Sequence, residues 1–160
     1  GVNLITAFIA VYFIGLFEAT LQQKIALAIL MPVVASMGGI AGTQTLIIVT
    51  RGIATGRVTN ANIKALINKE VAVSGLNGII WSLVIGLITY YWFSDLLLSL
   101  IIALAIIANL IVAAFSGAFL PLLLSKLRID PALAGGVILT TITDVIGFVA
   151  FLGLAALFIK

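Results

Sequence analysis

Five long apolar stretches, parted by short polar ones, make up the chain. The first runs from about Val2 to Leu21, interrupted by Asn3, Thr6, Glu18 and Thr20, and ends at Gln22-Gln23-Lys24. The others run from about Ile25 to Ala54, Val71 to Phe93, Leu96 to Leu124 and Ala132 to Ile159. Their apolar positions are continuous rather than alternating, which speaks for helices and against strands. A bilayer core of about 30 Å is crossed by about 20 helical residues. The pattern therefore predicts an all-α integral membrane protein with five transmembrane helices per subunit.

Local signals refine this outline. Pro32 and Gly38, Gly39 and Gly42 predict a kinked or locally unwound second helix. From Arg51 to Glu70 the chain is polar and basic, and Thr59 or Asn60 is expected to cap a short amphipathic helix with Ile63, Leu66 and Ile67 on its apolar side. Ser94-Asp95 reads as a tight turn. Asp130 before Pro131 reads as the N-cap of the fifth helix, with the proline at its first position. Asn109 is expected to hydrogen-bond a neighbouring helix, and Glu18 and Glu70 to sit at span ends in structural roles.

Composition removes the soluble alternatives. Of 160 residues, 64% are hydrophobic and 8% charged, against about 25% charged in soluble domains. The net charge of +3 is carried by loops and implies no nucleic acid. Arg51, Arg57, Lys64, Lys69, Lys126 and Arg128 lie in the loops after the second and fourth helices, while the other side has Lys24 and Lys160. The positive-inside rule then places the N-terminus in the cytoplasm and the C-terminus outside a plasma membrane. Tyr90-Tyr91-Trp92 fits an interfacial belt. The chain opens on Gly1 rather than Met and is read as a fragment, with no cleavable signal peptide. Five spans without an internal repeat cannot form two equal inverted halves, so a symmetric pore would need two chains.

Asp144 is the one charge inside the fifth stretch. A carboxylate near mid-membrane costs at least a few kcal/mol and marks a functional site by default. At helical spacing Gly136, Thr140, Asp144 and Gly147 share a face, with Thr143 beside it. In the second helix Ser36, Gly39 and Thr43 share a face, and Gly38 with Gly42 form a small-xxx-small pair suited to close packing. Two Asp144 carboxylates across a dimer axis, with threonine hydroxyls and backbone carbonyls, would form a hard-oxygen site. Such donors suit Mg²⁺, Ca²⁺ or Mn²⁺, and a site this sparse suits hydrated Mg²⁺ best, because that ion keeps several of its waters.

Enzyme chemistry finds little support. An aspartyl intramembrane protease needs two membrane-embedded aspartates, and this chain has Asp144 alone. Without histidine there is neither a serine–histidine pair nor a His-Glu-x-x-His zinc site. Without cysteine there is no disulfide or thiolate metal site.

Three motifs resemble the transmembrane domain of the MgtE family of magnesium channels and transporters. They are Pro32-Val-Val-Ala-Ser-Met-Gly-Gly-Ile-Ala-Gly-Thr-Gln-Thr45; Asp130-Pro-Ala-Leu133 with Thr140-Thr-Ile-Thr-Asp144-Val-Ile-Gly147; and Lys69-Glu70 with Leu76-Asn77-Gly78. The resemblance covers essentially the whole chain, residues 1–160. It implies a homodimer whose pore lies on the two-fold axis, lined by the second and fifth helices. Asp144 would hold the transported Mg²⁺ ion, Gly136 and Thr140 would line the pore towards the cytoplasm, and Asp130 would lie near its mouth. Two positions depart from the family pattern: Ile40 stands where an asparagine is usual, and Val137 where a proline is frequent. The family's cytosolic N-domain and CBS domains are absent from these residues. The expected function is Mg²⁺ conduction down its electrochemical gradient. The alternatives are a broader divalent-cation carrier and a proton- or sodium-coupled one.

Overall fold

The computed structural model describes residues 1–59 and 61–159. Among them are six helices: α1 (Val2–Gly15), α2 (Glu18–Gln23), α3 (Ile25–Ala54), α4 (Ile63–Phe93), α5 (Leu96–Lys126) and α6 (Pro131–Phe158). Four of these, α3 to α6, are long and apolar enough to cross a membrane. The protein is an all-α, multi-pass membrane protein.

The first apolar stretch is not one helix. α1 ends at Gly15, a poor helix former, and the N–H of Phe17 bonds three residues back to Ile14. This tightened turn lets the Phe17 ring pack inward towards Gly153 of α6. α2 then restarts at Glu18, whose carboxylate accepts from Gln22 at 3.1 Å.

α3 runs unbroken across Pro32, so the expected kink does not interrupt it. Pro32 is exposed on the outer surface, where its ring crowds no other helix. The expected short amphipathic helix also does not stand apart: Ile63, Leu66 and Ile67 form the first turns of α4. Of the two expected caps, Thr59 makes no cap and Asn60 lies outside the described residues. Asn62 takes the N-cap position, and its side chain instead ties the preceding loop together.

α5 is the hub. It packs on α3, α4 and α6, whereas α3 and α4 barely meet. Its buried face carries large side chains such as Ile101, Ile102 and Ile106. The facing side of α4 is the opposite: Ser74, Gly78, Ser82 and Thr89 are its buried residues. Without a hydrophobic drive between helices in lipid, close approach over small residues holds them; a Cβ at Gly78 would lie 3.4 Å from the Ile107 backbone. The large side chains of α4, including Trp81 and Leu87, point outward.

At one end of the bundle the turns 22–24 and 94–95 meet, and the Lys24 ammonium pairs with the Asp95 carboxylate. Ser94 adopts the left-handed region, with φ 51°, and reverses the chain. Asp95 then caps α5 by accepting from the Leu98 N–H at 3.0 Å.

Candidate functional site

α3 and α6 lie side by side, and a shallow open cavity of about 480 Å³ runs along their shared outer face. Ser36, Gly39 and Thr43 border it from α3, and Thr140 and Asp144 from α6. Five sequence-predicted residues thus meet in one groove. Helical spacing explains this: Ser36, Gly39 and Thr43 lie at i, i+3 and i+7, and Thr140 is one turn before Asp144.

Glycines on the two helices divide into two classes. A Cβ built at Gly39 or Gly136 would meet nothing within 4 Å, so both face open space. Gly136 does not itself border the cavity, but it lies two turns from Asp144, and its carbonyl accepts from Thr140 Oγ1 at 2.9 Å. A Cβ at Gly42 would instead approach Leu139 at 3.1 Å, and one at Gly147 the Asn109 amide at 2.7 Å. These two, with Gly38, are packing positions.

Gly147 and Thr143 therefore lie away from the groove. Gly147 faces the bundle interior, against Asn109 and Val34. Thr143 is fully buried, and its hydroxyl donates to the Thr140 carbonyl at 3.1 Å. Asp130 lies 14 residues before Asp144, roughly 21 Å along the helix. It is exposed, and one carboxylate oxygen accepts from the Ala132 N–H at 2.9 Å, capping α6 beside Pro131.

Gln44 and Ile40 also border the groove. The glutamine is one position past Thr43 in a small-residue run, and its amide oxygen at a half-polar helix face was the signal available. Ile40 is exposed there and contributes no oxygen.

Beneath the groove, Asn109 of α5 reaches between α3 and α6. It is fully buried, donates to the Val34 carbonyl at 2.8 Å, and fills the space left by Gly38 and Gly147. It is the interhelical hydrogen bond expected from the sequence. Through it α5 fixes the spacing of the two helices that carry the groove.

One chain brings a single carboxylate to the groove, and among the described residues no three acidic, histidine or cysteine side chains converge. The groove's donors are all oxygens: one carboxylate, hydroxyls, an amide and backbone carbonyls. They suit a hard cation that keeps much of its water.

Comparison with known proteins adds a family. The model of the MgtE family, described as a divalent cation transporter, matches residues 31–154, which include every groove residue. The magnesium transporter MgtE of Bacillus subtilis is 36% identical over 91% of this chain and 32% of its own length. Those of Enterococcus faecalis and Thermus thermophilus are 28% and 32% identical, each over 90% of this chain and 32% of their own. The chain thus spans about a third of the length of the curated relatives it matches.

Proposed function

Because this chain belongs to the MgtE family of divalent cation transporters, we propose that it forms the membrane pore through which Mg²⁺ passes down its electrochemical gradient. The observation that carries this reading is the open groove in which Ser36, Gly39, Thr43, Thr140 and Asp144 meet. A half-pore has this form: polar, lined by small residues and open along one side. A second copy across a two-fold axis closes it into a homodimer and brings a second Asp144. Mg²⁺ with its first water shell is roughly 7 Å across, from a metal–oxygen distance near 2.1 Å plus a water radius. A groove of about 480 Å³ per subunit accommodates it without dehydration. The paired carboxylates hold the hydrated ion, while hydroxyls and carbonyls accept hydrogen bonds from its water shell.

The membrane potential contributes about 4.6 kcal/mol per 100 mV for a divalent ion, from about 2.3 per charge. In this reading α1 and α2 together make the first of five crossings. The N-terminus is cytoplasmic and the C-terminus outside. The Lys24–Asp95 pair fits α3 and α4 each crossing once, since it ties the turns before α3 and after α4 together at one end. Thr143 and Gly147 support the pore wall from behind, and Asp130 adds negative charge near the cytoplasmic mouth.

Mg²⁺ uptake into proteoliposomes tests the reading. Asp144→Ala and Asp144→Asn are expected to assemble as dimers and lose at least ten-fold in flux. Wild-type flux in both would refute it. Ile40 favours a second reading, a broader divalent range, because it replaces an oxygen donor with an alkyl wall. A competition series of Mg²⁺, Ca²⁺, Mn²⁺ and Co²⁺, with and without a pH gradient, separates the two and exposes any coupled carrier.

A further inference from the structure

A second cavity, of about 820 Å³, lies between the end of α3 and the start of α4, away from the groove. Arg51, Arg57 and Lys69 line it together with Ile48, Leu66 and Asn62, and no carboxylate does. All three cations are exposed, and the ion pair found among the described residues is Lys24–Asp95, at the opposite end. The nearby Glu70 turns towards buried Thr45, whose hydroxyl donates to it at 3.5 Å.

The loop that forms the cavity wall is built. The N–H groups of Arg57 and Val58 both donate to the Gly52 carbonyl, at 2.9 and 3.0 Å. Val58 sits over Gly52, where any Cβ would collide with it. Gly56 makes the reversal with φ +68°. The Asn62 amide donates to the Arg57 carbonyl at 2.7 Å, and its oxygen accepts from the Thr59 N–H at 2.9 Å. The Arg57 backbone is thereby anchored to the end of α3, and its side chain lines the same cavity as Arg51.

Depth identifies the setting. Tyr91 and Trp92 are highly exposed at the far end of α4 and mark one interface. Counting about 20 residues back along α4, a bilayer's width, reaches the neighbourhood of Val71. Lys69 is then at headgroup level, with Ile48 and Leu66 as the apolar side of the same cavity. Three converging cations, two of them guanidinium forks that match phosphate oxygens, with an apolar flank at the headgroup plane, are suited to a phosphate monoanion or diester carrying hydrocarbon.

We propose that the cavity lined by Arg51, Arg57 and Lys69 is a binding site for a phosphate group, supplied by an anionic lipid headgroup or by a soluble phosphate ester. The site stands apart from the ion groove and does not depend on it.

The test is native mass spectrometry of the protein from micelles holding phosphatidylglycerol or phosphatidylcholine, with glycerol 3-phosphate as a soluble competitor. One phosphatidylglycerol per chain is expected to be retained, and phosphatidylcholine at least ten-fold less. Arg51→Gln/Arg57→Gln/Lys69→Gln is expected to lose that retention at least ten-fold. Lys64→Gln/Lys126→Gln/Arg128→Gln, which removes the same charge outside the cavity, is expected to keep it. Displacement by glycerol 3-phosphate at comparable concentration assigns the source to solution, and resistance to it assigns the source to lipid. Equal loss in the two triple variants, or equal retention of the two lipids, would overturn the site. Should the cavity triple variant fail to fold, Arg57→Gln alone is read in the same way, with about a three-fold loss expected.

Discussion

At the residue scale, glycine does two jobs on the same helices, and substitution separates them. Gly39 faces open space, so Gly39→Ala should leave the thermal midpoint unchanged or raise it, alanine being favoured by up to about 1 kcal/mol in a helix. It should still cut Mg²⁺ flux several-fold by narrowing the groove. A Cβ added at Gly147 would lie 2.7 Å from the Asn109 amide, and Gly147→Ala should destabilise by about 1–3 kcal/mol through overpacking. Thermal unfolding in detergent beside the flux assay distinguishes the two. The sequence did not separate these glycines. Spacing assigns a face, but which face meets α5 depends on where Asn109 inserts, a fact of tertiary packing. Asp144, Thr140 and the Ser36–Gly39–Thr43 face were legible because a lone carboxylate and small polar residues stand out in an apolar run.

At the element scale, the Asp95 cap joins local and long-range order. The Leu98 N–H and then the Lys24 ammonium hold the Asp95 carboxyl below its usual range. Its folded pKa is thus below the unfolded value of about 3.9, so its stabilisation is present above that value and lost as pH falls through the folded pKa. Asp95→Asn keeps a side-chain oxygen for the cap but loses the charge that pairs with Lys24, and should lower the unfolding midpoint near neutral pH, at a cost of up to about 1 kcal/mol. The gap from wild type should close as pH drops below about 4, and a gap that persists in acid would contradict the assignment. Element ends were the least legible part of the chain. Composition marks α3, α5 and α6 almost to the residue. Whether α1 passes into α2, and whether the Ile63 turn joins α4, was decided by the packing of Phe17 and by helix continuity across a polar interface.

At the scale of the molecule, the dimer proposed above predicts that the groove is the surface that meets a second copy. The protein has no cysteine, so introduced thiols report cleanly. Thr140→Cys should form an oxidative crosslink between subunits, whereas Leu87→Cys, on the exposed outer face of α4, should not. The reverse result would move the interface to α4. The all-helical, membrane-spanning class was plain from hydropathy alone. The central place of α5 was not, since its residues are as apolar as those of helices that face lipid.

That central place also sets the order of assembly during synthesis. Spans emerge from the ribosome in sequence, yet α3 and α4 barely touch, so these two consecutive helices have no hairpin to form. Their shared partner is α5, which packs on both. The groove cannot exist before α6 docks on α5 and α3. A nascent chain halted before Leu96 therefore leaves the small-residue stripe of α4 without the helix that packs on it.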